Sequence, residues 1–249
     1  MASIYKRITF HVALFAASAL PSIAIVPLPF ILSQAPTKAP SELEKVLAKL
    51  DVSAKTFTSA QADITWDNVQ TQPIPDKDSQ VGTAIFAKGK DGEMQVAVHI
   101  KTDNGKPIQK DMVYANGTGK LYEAAIKQLQ VFQVGNKRDQ LNAFLTLGFG
   151  GSGQDLQKNW TISDQGTEQV NSVQAAKLQL TPRDPNLAKT TPKVILWIDP
   201  DKGVAVKQQR FDSTGNYVVF AYSNIRLNGK VPSGAFEVKT PSGTQVVNH

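Results

Sequence analysis

The side chains that could perform acid–base or nucleophilic chemistry are sparse in this chain of 249 residues. Of its three histidines, His11 lies in an apolar N-terminal segment, His249 lies at the C-terminal end, and His99 lies in an alternating stretch beside Lys101. A serine hydrolase needs a histidine within hydrogen-bond reach of a serine and an acid, and the G-x-S-x-G motif of such enzymes does not occur. We therefore expect His99 to be a solvated surface side chain.

The acidic residues and glycines do not indicate a catalytic or metal site either. Asp199 and Asp201 flank a proline, which is typical of a turn, and calcium would need more oxygen ligands than two acids supply. The chain has no cysteine, which excludes thiolate catalysis and cysteine zinc sites. Residues 148–153 are rich in glycine but match no phosphate-binding motif, and we expect Gly151-Ser152-Gly153 to form a flexible loop. We predict no enzyme activity, no metal and no cofactor.

The charge pattern argues against a nucleic-acid partner. The formal net charge is +6, and part of it comes from Lys6 and Arg7 at the N-terminus. The other lysines are scattered among acids, without the alternation of basic and aromatic residues that single-stranded nucleic-acid sites use.

The N-terminal segment has the features of an export signal. Lys6 and Arg7 precede an apolar stretch over residues 8–20, and Ala17-Ser18-Ala19 and Ser33-Gln34-Ala35 both fit the small-residue pattern of a cleavage site. The alternative is an uncleaved membrane anchor over residues 8–32, which three prolines disfavour because each removes a backbone donor. We predict a signal peptide or N-terminal anchor over residues 1–35 and a single exported domain over residues 36–249.

Turn signals recur through residues 81–246 and predict a large antiparallel sheet. Asp-Gly and Asn-Gly pairs supply the positive φ angles of tight hairpins, and their regular spacing is typical of a sandwich or barrel. The predicted strands cover residues 57–69, 81–88, 92–102, 112–115, 119–125, 129–134, 160–163, 173–181, 194–199, 204–211 and 217–227, with a last short pair around Phe236 and Val246. Residues 70–80 are predicted to form a polar loop.

One strand has a clear division between an apolar and a polar face. Met94, Val96, Val98 and Ile100 alternate with polar or small residues, so one face of the sheet is predicted to be apolar and the other wet.

Two amphipathic helices accompany the sheet. A capping box at Ser41 and Glu44 opens the first, in which Leu43, Val46, Leu47 and Leu50 form one apolar stripe. The second, over residues 137–149, presents Leu141, Phe144, Leu145 and Phe149 and interrupts the strands once. Periodicity leaves two arrangements open: the helices plug a filled barrel, or they cover an apolar hollow.

The order of the segments resembles the outer-membrane lipoprotein carrier family, the LolA-type proteins. Residues 81–88 resemble the family's G-x-x-x-F-x-K/R strand, and residues 112–117 its hairpin before a tyrosine-containing strand. Residues 195–199, 211–216, 220–225 and 236–243 resemble its closing strands and its F-x-x-x-x-P-x-G ending. The resemblance implies an incomplete antiparallel β-barrel, a curved sheet with a helical lid over an apolar cavity. It also implies a periplasmic protein that carries acyl chains without covalent chemistry.

The resemblance has one departure and implies a set of binding residues. Where the family has R-P-G-x-x-R, with an arginine that holds the lid shut, this chain has Lys88-Gly89-Lys90-Asp91-Gly92-Glu93, so Lys88 is the expected lid contact without arginine's bidentate geometry. The expected lipid-binding residues are Met94, Val96, Val98, Ile100, Met112, Tyr114, Leu141, Phe144 and Leu145.

The predicted function is a periplasmic carrier of lipid or lipoprotein acyl chains between envelope membranes. We expect a monomer that meets envelope transport proteins, with an inner-membrane tether if the N-terminal segment stays uncleaved. The alternative is an envelope-stress sensor or assembly module of the same fold that acts by protein contacts. A hydrolase of envelope lipids or glycans is a third hypothesis.

Overall fold

The computed structural model describes residues 39–135 and 138–249. The predicted N-terminal signal or anchor lies outside these residues. Within the described ranges, no helix has both the length and the apolar character needed to cross a membrane.

The described chain contains four α-helices and twelve strands. The helices are α1 (Glu42–Thr56), α2 (Arg138–Leu145), α3 (Gly153–Asn159) and α4 (Pro185–Thr190), and a short 3₁₀ turn covers Ala124–Ile126. The strands are β1 (Ser59–Gln70), β2 (Asp76–Lys88), β3 (Met94–Asp103), β4 (Lys106–Ala115), β5 (Thr118–Glu123), β6 (Gln128–Gln133), β7 (Trp160–Val170), β8 (Val173–Pro182), β9 (Lys193–Asp199), β10 (Val204–Phe211), β11 (Tyr217–Leu227) and β12 (Gln245–Asn248).

All twelve strands form one sheet in the order β12-β6-β5-β4-β3-β2-β1-β11-β10-β9-β8-β7. Every neighbouring pair is antiparallel except β12 and β6, which are parallel. The sheet is curved and open, and helices pack against its inner face. The predicted fold class, an incomplete antiparallel barrel with a helical lid, is confirmed.

The hairpin turns have the backbone that Asn-Gly pairs favour. Asn104 and Gly105 have φ of 46° and 77°, and Asn116 and Gly117 have φ of 52° and 76°. Positive φ at both central positions matches the right-handed twist of the flanking strands. These turns fix the registers of β3 with β4 and of β4 with β5.

Several local features of the structure differ from the predictions. The predicted loop at residues 70–80 belongs in part to β2, which begins at Asp76 and pairs with β1 as far as Gln70; its first residues are exposed, so no apolar alternation marks them. Phe236 lies in turns, and only the segment around Val246 forms a strand. The short helices α3 and α4 were not predicted.

Helix α1 follows its sequence signals closely. The Ser41 hydroxyl accepts a hydrogen bond from the backbone N–H of Glu44, and the Glu44 carboxylate accepts one from the backbone N–H of Ser41. Val46, Leu47 and Leu50 are buried. The capping box therefore starts a helix whose apolar stripe faces the sheet.

The glycine-rich segment after α2 is tightly packed and is not the flexible loop that its composition predicts. At Gly148, whose φ is 99°, an added Cβ would lie 2.4 Å from the Cβ of Ala205. At Gly153, it would lie 2.4 Å from the Leu47 carbonyl oxygen. These glycines let the backbone pass directly over β10 and α1, a close approach that a larger residue prevents.

The core consists of three clusters, of which two lie on the inner face of the sheet and the third is a small cluster around Trp197. The first joins α1, α3 and strands β7 to β10, and it includes Leu50, Trp160 and Leu196. The second joins β1, β2, β3 and β11 around Phe86 and Phe149. Helix α2 lies between them, and its apolar side chains pack against both clusters.

Candidate functional site: a cavity beneath helix α2

Helix α2 contacts the sheet through an apolar face that is only partly buried. Phe144 packs edge-on against Trp160, with ring centroids 5.7 Å apart. Leu145 packs against the second core cluster. Beneath these contacts the sheet curves away from the helix and leaves space.

That space is a cavity of about 410 Å³. Its lining is predominantly apolar and comes from α2, the turn after it, and strands on both sides of the curved sheet. The lining residues are Ile64, Trp66, Phe86, Val96, Val98, Met112, Val113, Tyr114, Gly119, Lys120, Leu121, Phe132, Leu141, Phe144, Leu145, Leu147, Val194, Gln208, Arg210, Phe220 and Tyr222. The volume falls in the range of about 300–1,000 Å³ that small-molecule sites commonly have.

Most of the side chains predicted to bind lipid lie around this cavity. From the sheet, Val96, Val98, Met112 and Tyr114 line it, and from α2, Leu141, Phe144 and Leu145 line it. Val98 pairs with Met112 across β3 and β4, which places both side chains on the same face. The structure thus brings together strand and helix residues that are about 30 to 50 positions apart in the sequence.

Met94 and Ile100 do not line the cavity, in contrast to the prediction. Both are 1 % exposed and belong to filled parts of the interior. Met94 lies at the start of β3, where its Cε approaches Gly150 in the turn after α2. Ile100 lies at the other end, beside a shift in register between β3 and β4. The alternation identified the correct face of β3, but only its central part borders the open space.

Lys88 contacts the first helix. Its Nζ donates a hydrogen bond to the Ala54 carbonyl oxygen at 2.7 Å and lies 6.0 Å from the centroid of the Phe57 ring. The cation therefore caps the C-terminal turn of α1, where a positive charge is favourable. It does not hold α2 by this bond.

Helix α2 is instead joined to the sheet by polar contacts near its N-terminus. The Arg138 guanidinium donates to Glu93 Oε2 at 3.0 Å, and the Tyr114 hydroxyl donates to Glu93 Oε1. One turn along the helix, Asn142 Oδ1 accepts from the backbone N–H of Met94 at 3.1 Å. Burial raises the pKa of Tyr114, and its hydrogen bond to Glu93 adds to this, so the phenol remains a donor at neutral pH. We call Glu93, Arg138 and Tyr114 the latch.

We predict that reversing the charge of Arg138 releases ligand faster. In Arg138→Glu two carboxylates face each other, and we expect dissociation of a bound fluorescent fatty acid to accelerate about two- to fivefold, as measured by stopped-flow fluorescence. The double variant Glu93→Arg, Arg138→Glu should restore part of the difference in rate, because it re-forms the ion pair but not the hydrogen bond from Tyr114. Lys45→Glu, which breaks an exposed ion pair within α1, should leave the rate unchanged. A swapped variant as fast as Arg138→Glu would contradict the role of the ion pair.

The sequence-based reasoning missed the half of the cavity that β1, β10 and β11 provide. Ile64 and Trp66 lie on β1, and Phe220 and Tyr222 on β11 pair directly with them. Gln208 on β10 donates a hydrogen bond to the Leu147 carbonyl oxygen in the turn after α2. Alternation in β1 and β11 was a usable signal, but their pairing joins residues that lie far apart in the chain.

The histidine and acidic residues that the sequence offered for acid–base or metal chemistry lie away from the cavity. His99 points to the outer face and is half-exposed. Its Nδ1 is 2.7 Å from Asp111 Oδ1, which is its polar partner. Asp199 accepts hydrogen bonds from the backbone N–H groups of Asp201 and Lys202, which is the predicted turn. Across residues 39–135 and 138–249, no group of three or more His, Asp or Glu side chains is placed to hold a metal ion.

Neither a protein-family model nor a curated protein matches the sequence. Among solved structures, an uncharacterized conserved protein from Thermus thermophilus is similar with a TM-score of 0.51 and 10% identity, over 84% of this chain and 100% of that chain. The LolA superfamily protein NE2245 from Nitrosomonas europaea is similar with a TM-score of 0.37 and 12% identity, over 80% and 99%. The likeness to the Thermus thermophilus protein shows a shared fold.

MucB in the MucA/MucB complex of Pseudomonas aeruginosa is also similar, with a TM-score of 0.46 and 14% identity, over 80% of this chain. The chain spans 62% of the length of that MucB chain. At these identities a likeness concerns the fold alone, and what the cavity binds has to be inferred from its own residues.

Proposed function

We propose that the protein is a carrier that holds acyl chains of a lipid or lipoprotein in its cavity and transfers them between envelope membranes. The observation that supports this proposal is the cavity itself, apolar over most of its lining and covered by one short helix. Protein interiors are normally packed to the density of organic crystals, so a space of this size under a helix is ready for an apolar ligand.

The energetics suit a carrier. Each CH₂ group buried from water contributes about 0.8 kcal/mol, so burial of a long acyl chain in the cavity offsets the cost of removing it from a membrane. Release then requires a second state with lower affinity, and a movable α2 would provide it. The proposed transfer needs no covalent step, and the protein acts on this view as a periplasmic monomer without enzyme activity that exchanges cargo with envelope transport proteins.

Two measurements test the proposal. We expect solvent extraction of the purified protein to release lipid that mass spectrometry identifies, and we expect delipidated protein to take up a fluorescent fatty acid in a saturable titration. A protein that purifies empty and takes up no fatty acid would refute the carrier. That outcome would favour the alternative, a sensor or assembly module acting through protein contacts.

A further inference from the structure

Two cations, Lys120 and Arg210, line the cavity, and neither has a carboxylate partner in the described part of the chain. Arg210 is the one that lies against the ring of Phe144 on α2. Arg210 lies on β10, where Val194 of β9 and Val218 of β11 are its neighbours in the sheet. Its guanidinium carbon is 5.8 Å from the centroid of the Phe144 ring on α2. The arginine is thus held between an apolar strand surface and the helix that covers the cavity.

The positive charge of the Arg210 guanidinium is poorly compensated by negative charge in the protein. No carboxylate of residues 39–135 or 138–249 lies within 4.0 Å of its nitrogens. Burial lowers the pKa of Arg210. Burial also raises the pKa of Tyr222, so its phenol is neutral at neutral pH and supplies no counter-charge. Arg210 is partly buried, and a partly buried cation without a counter-charge loses hydration free energy that a bound anion would offset.

Arg210 also borders a second, polar pocket at the hairpin ends of β1, β2, β10 and β11, and the acids of this pocket are Asp76, Asp78 and Asp212. Asp212 accepts hydrogen bonds from Thr214 and Asn216 within its own turn. Asp78 accepts one from Asn104, and Asp76 is exposed. These carboxylates are engaged or solvated, so they leave the arginine free for a ligand.

We propose that the cargo is an anionic amphiphile whose acidic head binds Arg210 while its acyl chain runs along the apolar cavity. This inference rests on the proposed carrier function and adds the chemical class of the ligand. A guanidinium matches the two oxygens of a carboxylate or phosphate in a bidentate geometry. Because Arg210 lies at the boundary of the polar pocket, the head reaches water there.

The direction of the chain follows from the sheet order. From β10 the cavity passes β11, β1, β2, β3 and β4 to β5 and β6, where Phe132 lines its far side. The acyl chain therefore crosses the strands from Arg210 towards Phe132, and it contacts Val98 and Met112 on the way.

The test compares ligands that differ only in the head. Wild-type protein should bind a fluorescent fatty acid about 10- to 100-fold more tightly than its methyl ester, because charge-assisted hydrogen bonds to Arg210 form only with the acid. In Arg210→Met, which keeps the aliphatic packing on Phe144, the ester should bind as before and the preference for the acid should disappear. Arg210→Lys should retain part of the preference for the acid.

Each outcome decides between the two proposals. Equal binding of acid and ester by the wild type overturns the head-group assignment and leaves the carrier intact, and this comparison requires no variant to fold. If Arg210→Met still binds the acid more tightly than the ester, the head-group assignment is also overturned. Binding of neither ligand refutes both proposals. A monoacylglycerol phosphate titrated against the uncharged monoacylglycerol distinguishes a phosphate head from a carboxylate head.

Discussion

Val98→Glu is expected to abolish uptake of fatty acid while the protein stays folded. Val98 is only partly buried, and its side chain borders the open space beneath α2. A carboxylate there replaces apolar lining with a charge that an acyl chain would have to desolvate, so we expect affinity to fall by at least about 50-fold.

A matched variant controls for the introduced charge. Val81→Glu places the same residue on β2, where Val81 is 45% exposed and does not line the cavity. Val81→Glu should bind the fluorescent fatty acid as tightly as the wild type does. Unfolding of Val98→Glu in circular dichroism would show that this part of β3 faces a filled core, and retained uptake would place the ligand elsewhere.

Phe149→Ala is expected to cause a large loss of stability. Phe149 is fully buried, stacks on Phe86 with centroids 4.5 Å apart, and meets Tyr222 edge-on at 5.0 Å. Removing a buried phenyl ring costs about 3–5 kcal/mol of unfolding free energy, through lost transfer energy and the void that remains. Urea denaturation should show a lower midpoint with an unchanged slope.

The control for this variant is Phe132→Ala, because Phe132 is 38% exposed. Phe132→Ala is expected to lower the free energy of unfolding by no more than about 1 kcal/mol. A similarly small loss in Phe149→Ala would mean that the turn after α2 unfolds separately from the sheet. Such independence would contradict the tight contacts of this turn with β10.

The fold was predictable from the sequence where local chemistry specifies it. Asn-Gly turns, strand alternation and the capping box at Ser41 each act within a few residues, and each agrees with the structure. The α3 helix was missed because it begins in a glycine-rich segment, although Ser152 caps it through a capping box with Asp155. The glycines there serve close backbone packing, which depends on residues distant in the sequence.

The cavity was predictable only from one side. Alternation in β3 and helical spacing in α2 identify lining residues such as Val98 and Phe144, because both patterns are local. Arg210 escaped notice because β10 carries a polar run, and a register shift between Ala205 and Lys207 changes which of its residues face inwards. The latch was hidden for a related reason: its acid and its arginine meet only after β3 and α2 have packed together.

The two ends of α2 are held unequally, and this sets the direction in which the helix can move. Its C-terminal end continues into Gly148, whose carbonyl oxygen accepts a hydrogen bond from Ala205, and into the buried ring of Phe149. At its N-terminal end, Arg138 remains substantially exposed. We therefore expect α2 to open by rotating about Gly148, so that its N-terminal end, at the latch, moves furthest from the sheet. The far end of an acyl chain would be uncovered first, and the acidic head beside Arg210 would be the last part to leave.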